Sequence, residues 1–333
     1  MIETLSKLVR GENLTEHEAA FAFEKIMRGD ATPVQIAGFM VALRMKGETV
    51  EELTGFARTA RAMATPIDVD GDLLDTCGTG GDGMATFNIS TLSAIIAAAC
   101  GVKVAKHGNR AASSLCGSAD VLEQLGVKID LAPEGVARTI REAGIGFLFA
   151  PLFHPSFRYA GVPRRELGVR SVFNVLGPLC NPAGARYQAL GVADASLIGK
   201  MADVLVRVGV ERAIVFHAGD GMDELSVGSP SRVIEIDGAR KEYELDPTEL
   251  GLARAPLDAL RGGGPEENAR IARQVLGGET GARRDVVLLN AAAALRAAGM
   301  ARDWRDGLGL AAEAIDSGKA AGVLQMWAKL SQE

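Results

Sequence analysis

The chain has 333 residues, 47% of them hydrophobic, with 36 basic against 42 acidic residues and a formal net charge of −6. That balance is a poor footprint for nucleic acid or an anionic membrane, and the length supports two domains or one large domain with an appendage. The cysteines at 77, 100, 116 and 180 lack C-x-x-C spacing, which suggests neither zinc nor a disulfide framework. With a polar, mixed-charge start at Met1–Arg10 and no long apolar run, the expected location is the cytoplasm.

Residues 1–66 read as all helix. Three capping boxes, Thr15 with Glu18, Thr32 with Gln35 and Thr49 with Glu52, each start a helix. Behind them run apolar stripes: Phe23, Ile26 and Met27, then Ile36, Met40 and Leu43, then Leu53, Phe56 and Ala60. Helices this short need a partner surface, either the main domain or a second copy of the chain. Thr65-Pro66 marks the boundary.

From Ile67 strands alternate with helices. Leu73–Cys77 reads as a strand that enters Gly78-Thr79-Gly80-Gly81-Asp82-Gly83 and leaves, through Phe87–Thr91, into a helix ending near Cys100. So many glycines cost conformational entropy on folding; in return they offer bare N–H groups that an anion can approach beside a helix N-terminus. Gly78, Gly80 and Gly83 also match G-x-G-x-x-G, but a dinucleotide fold wants an acidic residue after the second strand. Here Val102–Ala105 ends in Lys106-His107-Gly108-Asn109-Arg110. A cation in that place points to phosphate, with Asp82 in the loop favouring a bridging metal.

Further on, Ser118 reads as the cap of a helix through Leu125, Pro133–Ala143 as a helix and Gly146–Ala150 as a buried strand. Residues 153–182, rich in Pro and Gly, read as irregular loops that return toward the helical domain and act as a hinge beside a cleft. Ala189–Val192 and Ala213–His217 are expected strands around a helix at Leu197–Val208, and a hairpin turns at Asp237-Gly238. Gly262-Gly263-Gly264 reads as a flexible loop, and four helices (Pro265–Leu276, Asp285–Ala298, Leu308–Ile315, Ala320–Leu330) complete the chain. The fold class is therefore α/β: a small N-terminal all-helical domain plus a larger domain with a mixed, mostly parallel sheet flanked by helices.

Three clusters carry chemistry. The glycine loop with Asn88, Ser90, Thr91 and Lys106 suits phosphate. Asp223-Glu224, in a glycine-softened turn after a strand, suits Mg²⁺, which takes oxygen ligands from one or two carboxylates and fills its shell with phosphates and water. His107, Asn109, His154 and the arginines at 158, 164, 165 and 170 suit a carboxylate, or form surface ion pairs. Together they imply transfer chemistry on a phosphorylated, Mg-bound substrate.

DTCGTGGDG at 75–83, FNIST at 87–91, VAKHGNRAASS at 104–114, GSADVLEQLG at 117–126, FHP at 153–155, RRELG at 164–168, FNVLGPLCNP at 173–182 and DGMDELS at 220–226 closely resemble the anthranilate phosphoribosyltransferase family. The resemblance spans nearly the whole chain. It implies a Mg-dependent pentosyltransferase of tryptophan biosynthesis, joining the 5-phosphoribosyl group of phosphoribosyl pyrophosphate (PRPP) to the amine of anthranilate and releasing pyrophosphate. It implies a fold of the nucleoside phosphorylase/phosphoribosyltransferase type. The domains would be 1–66, helical and dimer-forming with part of 160–182, and 67–333, α/β, with hinges near 66–72 and 153–182.

Carried over by motif, PRPP would be held by Gly78, Gly81, Asp82, Thr86, Asn88, Ser90, Thr91, Lys106, His107, Gly108 and Ser118. Anthranilate would meet Gly78, Asn109, His154, Arg164, Gly177 and Pro178, with Lys106 and Arg164 as charge-positioning groups. Ser90, Asp223 and Glu224 would bind magnesium, two ions per monomer. Pro163 directly before Arg164 leaves the choice between Arg164 and Arg165 open. The implied partners are the two small substrates and a second copy of the chain, with no nucleic acid and no membrane. Two alternatives share the fold type: a pyrimidine nucleoside phosphorylase, which has no need for the Asp223-Glu224 metal pair, and a nucleic-acid-binding relative, which predicts a basic surface.

Overall fold

The three capping boxes of the leader all form: each threonine hydroxyl accepts from the backbone N–H three residues on, and each Glu or Gln accepts from the threonine N–H. They start helices Glu16–Arg28, Pro33–Lys46 and Val50–Ala62; a first helix, Ile2–Val9, has no side-chain cap and no sequence signal marked it separately. The computed structural model describes residues 1–111 and 115–333, so the last residues of the 104–114 motif lie outside the described residues. Phe23, Phe39 and Phe56 are fully buried, with ring centroids 5.2 Å (Phe23–Phe56) and 5.7 Å (Phe39–Phe56) apart. Each buried phenylalanine contributes roughly 1.5–3 kcal/mol. Packing therefore sustains helices that would be marginal alone.

The leader does not stand apart. Phe23 meets Phe173 at 5.5 Å, and its apolar core runs on through Val172, Leu176 and Leu179 to Leu190, Ala213 and Val215 of the sheet. Residues 153–182 are more regular than their Pro and Gly content predicts. They hold a ten-residue helix, Arg158–Leu167, with Pro163 inside it and Gly168 in left-handed conformation as its cap. Pro163 is the sixth residue of that helix, so the carbonyl its ring opposes, four residues back, is that of Tyr159 in the helix's own first turn.

Seven strands form one sheet: β1 Leu74–Gly78, β2 Val104–Gly108, β3 Ile145–Phe149, β4 Tyr187–Gly191, β5 Arg212–Ala218, β6 Ser231–Asp237 and β7 Ala239–Leu245, in the order β3-β2-β1-β4-β5-β6-β7. The first five are parallel and the β6–β7 hairpin, turned at Gly238, is antiparallel. One face packs on helices Ile89–Ala99 and Ala282–Ala297 and on the C-terminal helices Trp304–Asp316 and Lys319–Ser331. The opposite face packs on the leader, on helix Ile198–Arg207 and on helix Pro133–Ala143. Strand order reverses between β1 and β4, and a doubly wound sheet opens its ligand crevice at such a point, beyond the carboxyl ends of the strands.

Three local expectations need correction. β2 begins and ends later than its apolar run, so Lys106 sits inside the strand rather than closing it; ladder bonds to β3 carry the strand on through Gly108. Ser118 is the first residue of helix Ser118–Gln124 and Gly117 is its cap. Asp120 takes over the capping, accepting from the N–H groups of Gly117 at 2.8 Å and Ala111 at 2.9 Å. Gly262-Gly263-Gly264 is a packed crossing, not a slack loop: Gly262 donates to Ala85 O at 2.9 Å, and a Cβ there would sit 2.7 Å from Phe87 N.

Candidate active site

The carboxyl ends of β1 and β2 and the turn after β5 face a cleft of about 930 Å³ whose lining includes Gly78–Asp82, Thr86–Thr91, Lys106–Ala111, Arg164, Arg165, Arg170, Asp223 and Glu224. Its floor is set by two glycines in register. Gly78 of β1 pairs with Gly191 of β4, and the chain leaving β5 lies directly across both. A Cβ on Gly78 would sit 2.3 Å from Asp223 Oδ2, and one on Gly191 would sit 1.6 Å from Asp223 O. Only hydrogen at both positions lets the Asp223-Glu224 turn reach the glycine loop.

That turn is held from both sides. Gly80 N donates to Asp223 Oδ2 at 2.6 Å and Ser90 N donates to Glu224 Oε1 at 3.1 Å. Behind it, Asn290 brackets Leu225, accepting from its N–H at 2.9 Å and donating to its carbonyl at 2.9 Å. Burial first, and Asp82 second, push the Asp223 carboxyl up to about 7; burial first, and Asp223 second, push Glu224 well above the carboxylate range. Carboxylates so raised favour a cation between them.

The alternation of β2 sends its two functional side chains opposite ways. Lys106 turns toward the loop helix, donating to Thr76 O at 2.5 Å and Ser90 Oγ at 3.3 Å. It is 2% exposed, and burial lowers its pKa against the opposing pull of Asp75. His107 turns the other way, its Nδ1 3.2 Å from Gly177 O, while His107 N donates to the buried Asp75 Oδ1 at 3.1 Å. Its ring lies 5.1 Å from that of His154, whose Nε2 meets Cys180 O at 2.8 Å. Burial, its largest influence, depresses both imidazoles, His107 to about 3 and His154 to about 4, so both are neutral near pH 7.

The chain matches the model of the glycosyl transferase family, a/b domain, over residues 70–321, and that of its helical bundle domain over residues 2–64. It is 59% identical to anthranilate phosphoribosyltransferase 2 of Streptomyces coelicolor over 320 residues, 96% of each chain. The chain belongs to the anthranilate phosphoribosyltransferase family. Among solved structures, the Thermus thermophilus anthranilate phosphoribosyltransferase superposes with a TM-score of 0.95 at 48% identity, covering 99% of each chain. The Saccharomyces cerevisiae enzyme, solved in complex with PRPP and Mg, superposes with a TM-score of 0.92 at 28% identity, covering 99% of this chain and 97% of that one. The fold class, with its helical bundle and mostly parallel sheet, is that of the family, and neither alternative fits relatives this similar.

Most of the residues that the family resemblance singled out meet at one cleft. Gly78, Gly81, Asp82, Thr86, Asn88, Ser90, Thr91, Lys106, His107, Gly108, Asn109, Ser118, Arg164, Asp223 and Glu224 all line it. His154, Gly177 and Pro178 stand one layer behind, where His154 is 2% exposed and Phe157 stacks on its ring at 5.1 Å. Arg164 and Arg165 both reach the cleft, but only Arg164 lies over an aromatic ring, that of Phe173 at 5.3 Å, where burial lowers its pKa. Asn88 occupies the cap position of helix Ile89–Ala99 without capping it: its amide donates to Cys116 O at 3.2 Å and accepts from Asn268 at 2.9 Å.

Sequence reasoning missed two residues that shape the site, Asn268 and Asn290, and grouped Arg170 with the carboxylate-binding candidates without foreseeing its bonds to the glycine loop. Asn290 carried a signal, being the lone polar residue in the apolar stretch Val286–Ala294. Asn268 and Arg170 carried none, because their partners lie far away in sequence. Among the described residues no group of three or more His, Cys, Asp or Glu side chains could hold a metal, and no helix is long and apolar enough to cross a membrane.

Proposed function

We propose that this cleft transfers the 5-phosphoribosyl group from PRPP to the amine of anthranilate, giving N-(5-phosphoribosyl)anthranilate and pyrophosphate. One observation carries the reading: a glycine loop whose Gly81 and Asp82 N–H groups have no protein acceptor among the described residues, a buried lysine and a raised carboxylate pair converge at the switch point of a chain 59% identical to an anthranilate phosphoribosyltransferase. Pyrophosphate gathers negative charge as it leaves, and preorganised donors aimed at that charge stabilise the transition state by roughly 2.7–4 kcal/mol each. The loop N–H groups supply such donors. Lys106 acts from beneath, fixing the Ser90 hydroxyl and adding positive charge at the floor.

The donor set suits Mg²⁺. Asp223, Glu224 and the Ser90 hydroxyl offer only hard oxygens, and the two carboxyls are raised in pKa by burial and by neighbouring acidic groups. We assign these three residues to two magnesium ions per monomer, which when bound neutralise phosphate charge. Gly78, Gly81, Asp82, Thr86, Asn88, Thr91, His107, Gly108 and Ser118 complete the PRPP side. Asn109 and Arg164 receive anthranilate, Arg164 pairing with its carboxylate; His154, Gly177 and Pro178 support that wall from behind.

The aromatic amine of anthranilate is already unprotonated and nucleophilic at pH 7, so orientation rather than a strong base does the remaining work. Closure about 153–182 would exclude water from the activated sugar; identical scattering with and without both substrates would count against it. The leader exposes Ile2, Val9, Val34 and Met45, a face suited to a second copy of the chain, and we place the homodimer there, in the cytoplasm. The deciding assay is loss of anthranilate fluorescence on adding PRPP, with and without Mg²⁺. A magnesium-dependent decay supports the reading. No decay under any condition overturns it.

A further inference from the structure

The glycine loop is gripped from outside by one side chain. Arg170, just past the end of helix Arg158–Leu167, donates through Nη1 to Gly81 O at 2.6 Å and through Nη2 to Gly80 O at 2.9 Å. A guanidinium normally spends its fork on a carboxylate; here the fork takes two successive main-chain carbonyls. They point the same way because Gly80 and Gly81 both have left-handed φ, +70° and +73°. The fit leaves no room for a side chain, since a Cβ on Gly81 would sit 1.8 Å from Arg170 Nη1.

A trans peptide carries its C=O and its N–H on opposite edges, and the chain has no cis bonds among the described residues. Fixing the carbonyls of Gly80 and Gly81 therefore fixes the N–H groups of Gly81 and Asp82, facing the other way. Among the described residues neither N–H has a protein acceptor. These are the donors that the phosphate reading requires. Left alone, two consecutive glycines would sample many orientations and lose that alignment.

We propose that Arg170 is a positioning residue for PRPP. It acts through the backbone, orienting the N–H groups of Gly81 and Asp82 by bidentate capture of the preceding carbonyls. The proposal rests on the PRPP reading of the same cleft. It also makes the loop's order depend on the segment after Arg158–Leu167, the helix that carries the anthranilate-side Arg164, so the two substrate sides are physically joined at this fork.

The test is PRPP titration by calorimetry in the presence of Mg²⁺, with steady-state kinetics, on wild type, Arg170→Lys and Arg170→Ala. Losing two charge-assisted bonds should weaken PRPP binding roughly tenfold or more. The Michaelis constant for PRPP should rise in parallel, with that for anthranilate within about twofold of wild type. Lysine should do little better than alanine, because it keeps the charge but not the fork, and added guanidinium should partly restore Arg170→Ala. Arg170→Lys binding like wild type would overturn the proposal, leaving a simple charge contact to phosphate. PRPP affinity unchanged in both variants would also overturn it. A wild type that fails to bind PRPP would instead sink the functional reading. Unaltered thermal midpoints separate these effects from misfolding.

Discussion

The two sides of the cleft are built on opposite terms. The floor comes from strand ends and the turn after β5, where Lys106 is buried and Asp223 and Glu224 half-buried, and each is held by backbone: Lys106 by Thr76 O, Glu224 by Ser90 N, Asp223 by Gly80 N. The outer wall, Arg158 to Arg170, is a short helix with Arg165 and Arg170 exposed, and Arg170 is its hydrogen-bonded link to the loop. Buried charge is costly and persists where fixed dipoles compensate it. A floor that meets charge developing on pyrophosphate must be rigid, while a wall that admits a flat aromatic acid can adjust. On the proposed reading, the electrostatic work falls to the floor and selection of the amine to the wall.

Breaking the floor should therefore cost most. Asp223→Asn with Glu224→Gln should lower kcat/KM by about 10²–10³ or more, the scale of removing preorganised groups, and should abolish magnesium dependence in the fluorescence assay. Lys106→Met comes next, at roughly 10²-fold, because the change removes floor charge and leaves the buried Asp75 carboxyl without its opposing cation. Unchanged turnover in either variant would mean that the floor is scaffolding.

On the wall, Arg164→Ala should raise the Michaelis constant for anthranilate about tenfold, the scale of a lost charge-assisted pair, and leave that for PRPP alone. Arg165→Ala should change neither beyond about twofold. Equal effects would erase the distinction drawn from the Phe173 contact.

The smallest effect concerns the layer behind the wall. His154 has its pKa depressed to about 4, so between pH 6.5 and 4 the unfolded chain binds a proton that the folded chain does not. Its contribution to stability is complete above pH 6.5 and is lost as the pH falls. His154 should account for about 1–2 kcal/mol of the stability lost from pH 6.5 to pH 5 in thermal or urea unfolding, beside the share of His107, whose pKa is depressed to about 3, and the loss should be smaller by that amount in His154→Asn. A slope identical in the two proteins would show that other groups set the acid limb.

Much of this was legible in one dimension, because its physics is local. Capping boxes, the Asp237-Gly238 turn and Pro133–Ala143 rest on contacts within four residues, and they form where the pattern places them. The glycine loop and the Asp223-Glu224 pair are conspicuous because each is unfavourable without a ligand, and both line the cleft. Tertiary structure alone decided how these pieces meet. β2 extends through Lys106 because β3 offers it a ladder, and that shift sends Lys106 and His107 to opposite faces. Gly78 and Gly191 matter together because strand register sets them side by side under a turn from β5. Arg170 finds the loop 89 residues away. Such contacts depend on where distant segments are brought, and no local pattern of residue types encodes that.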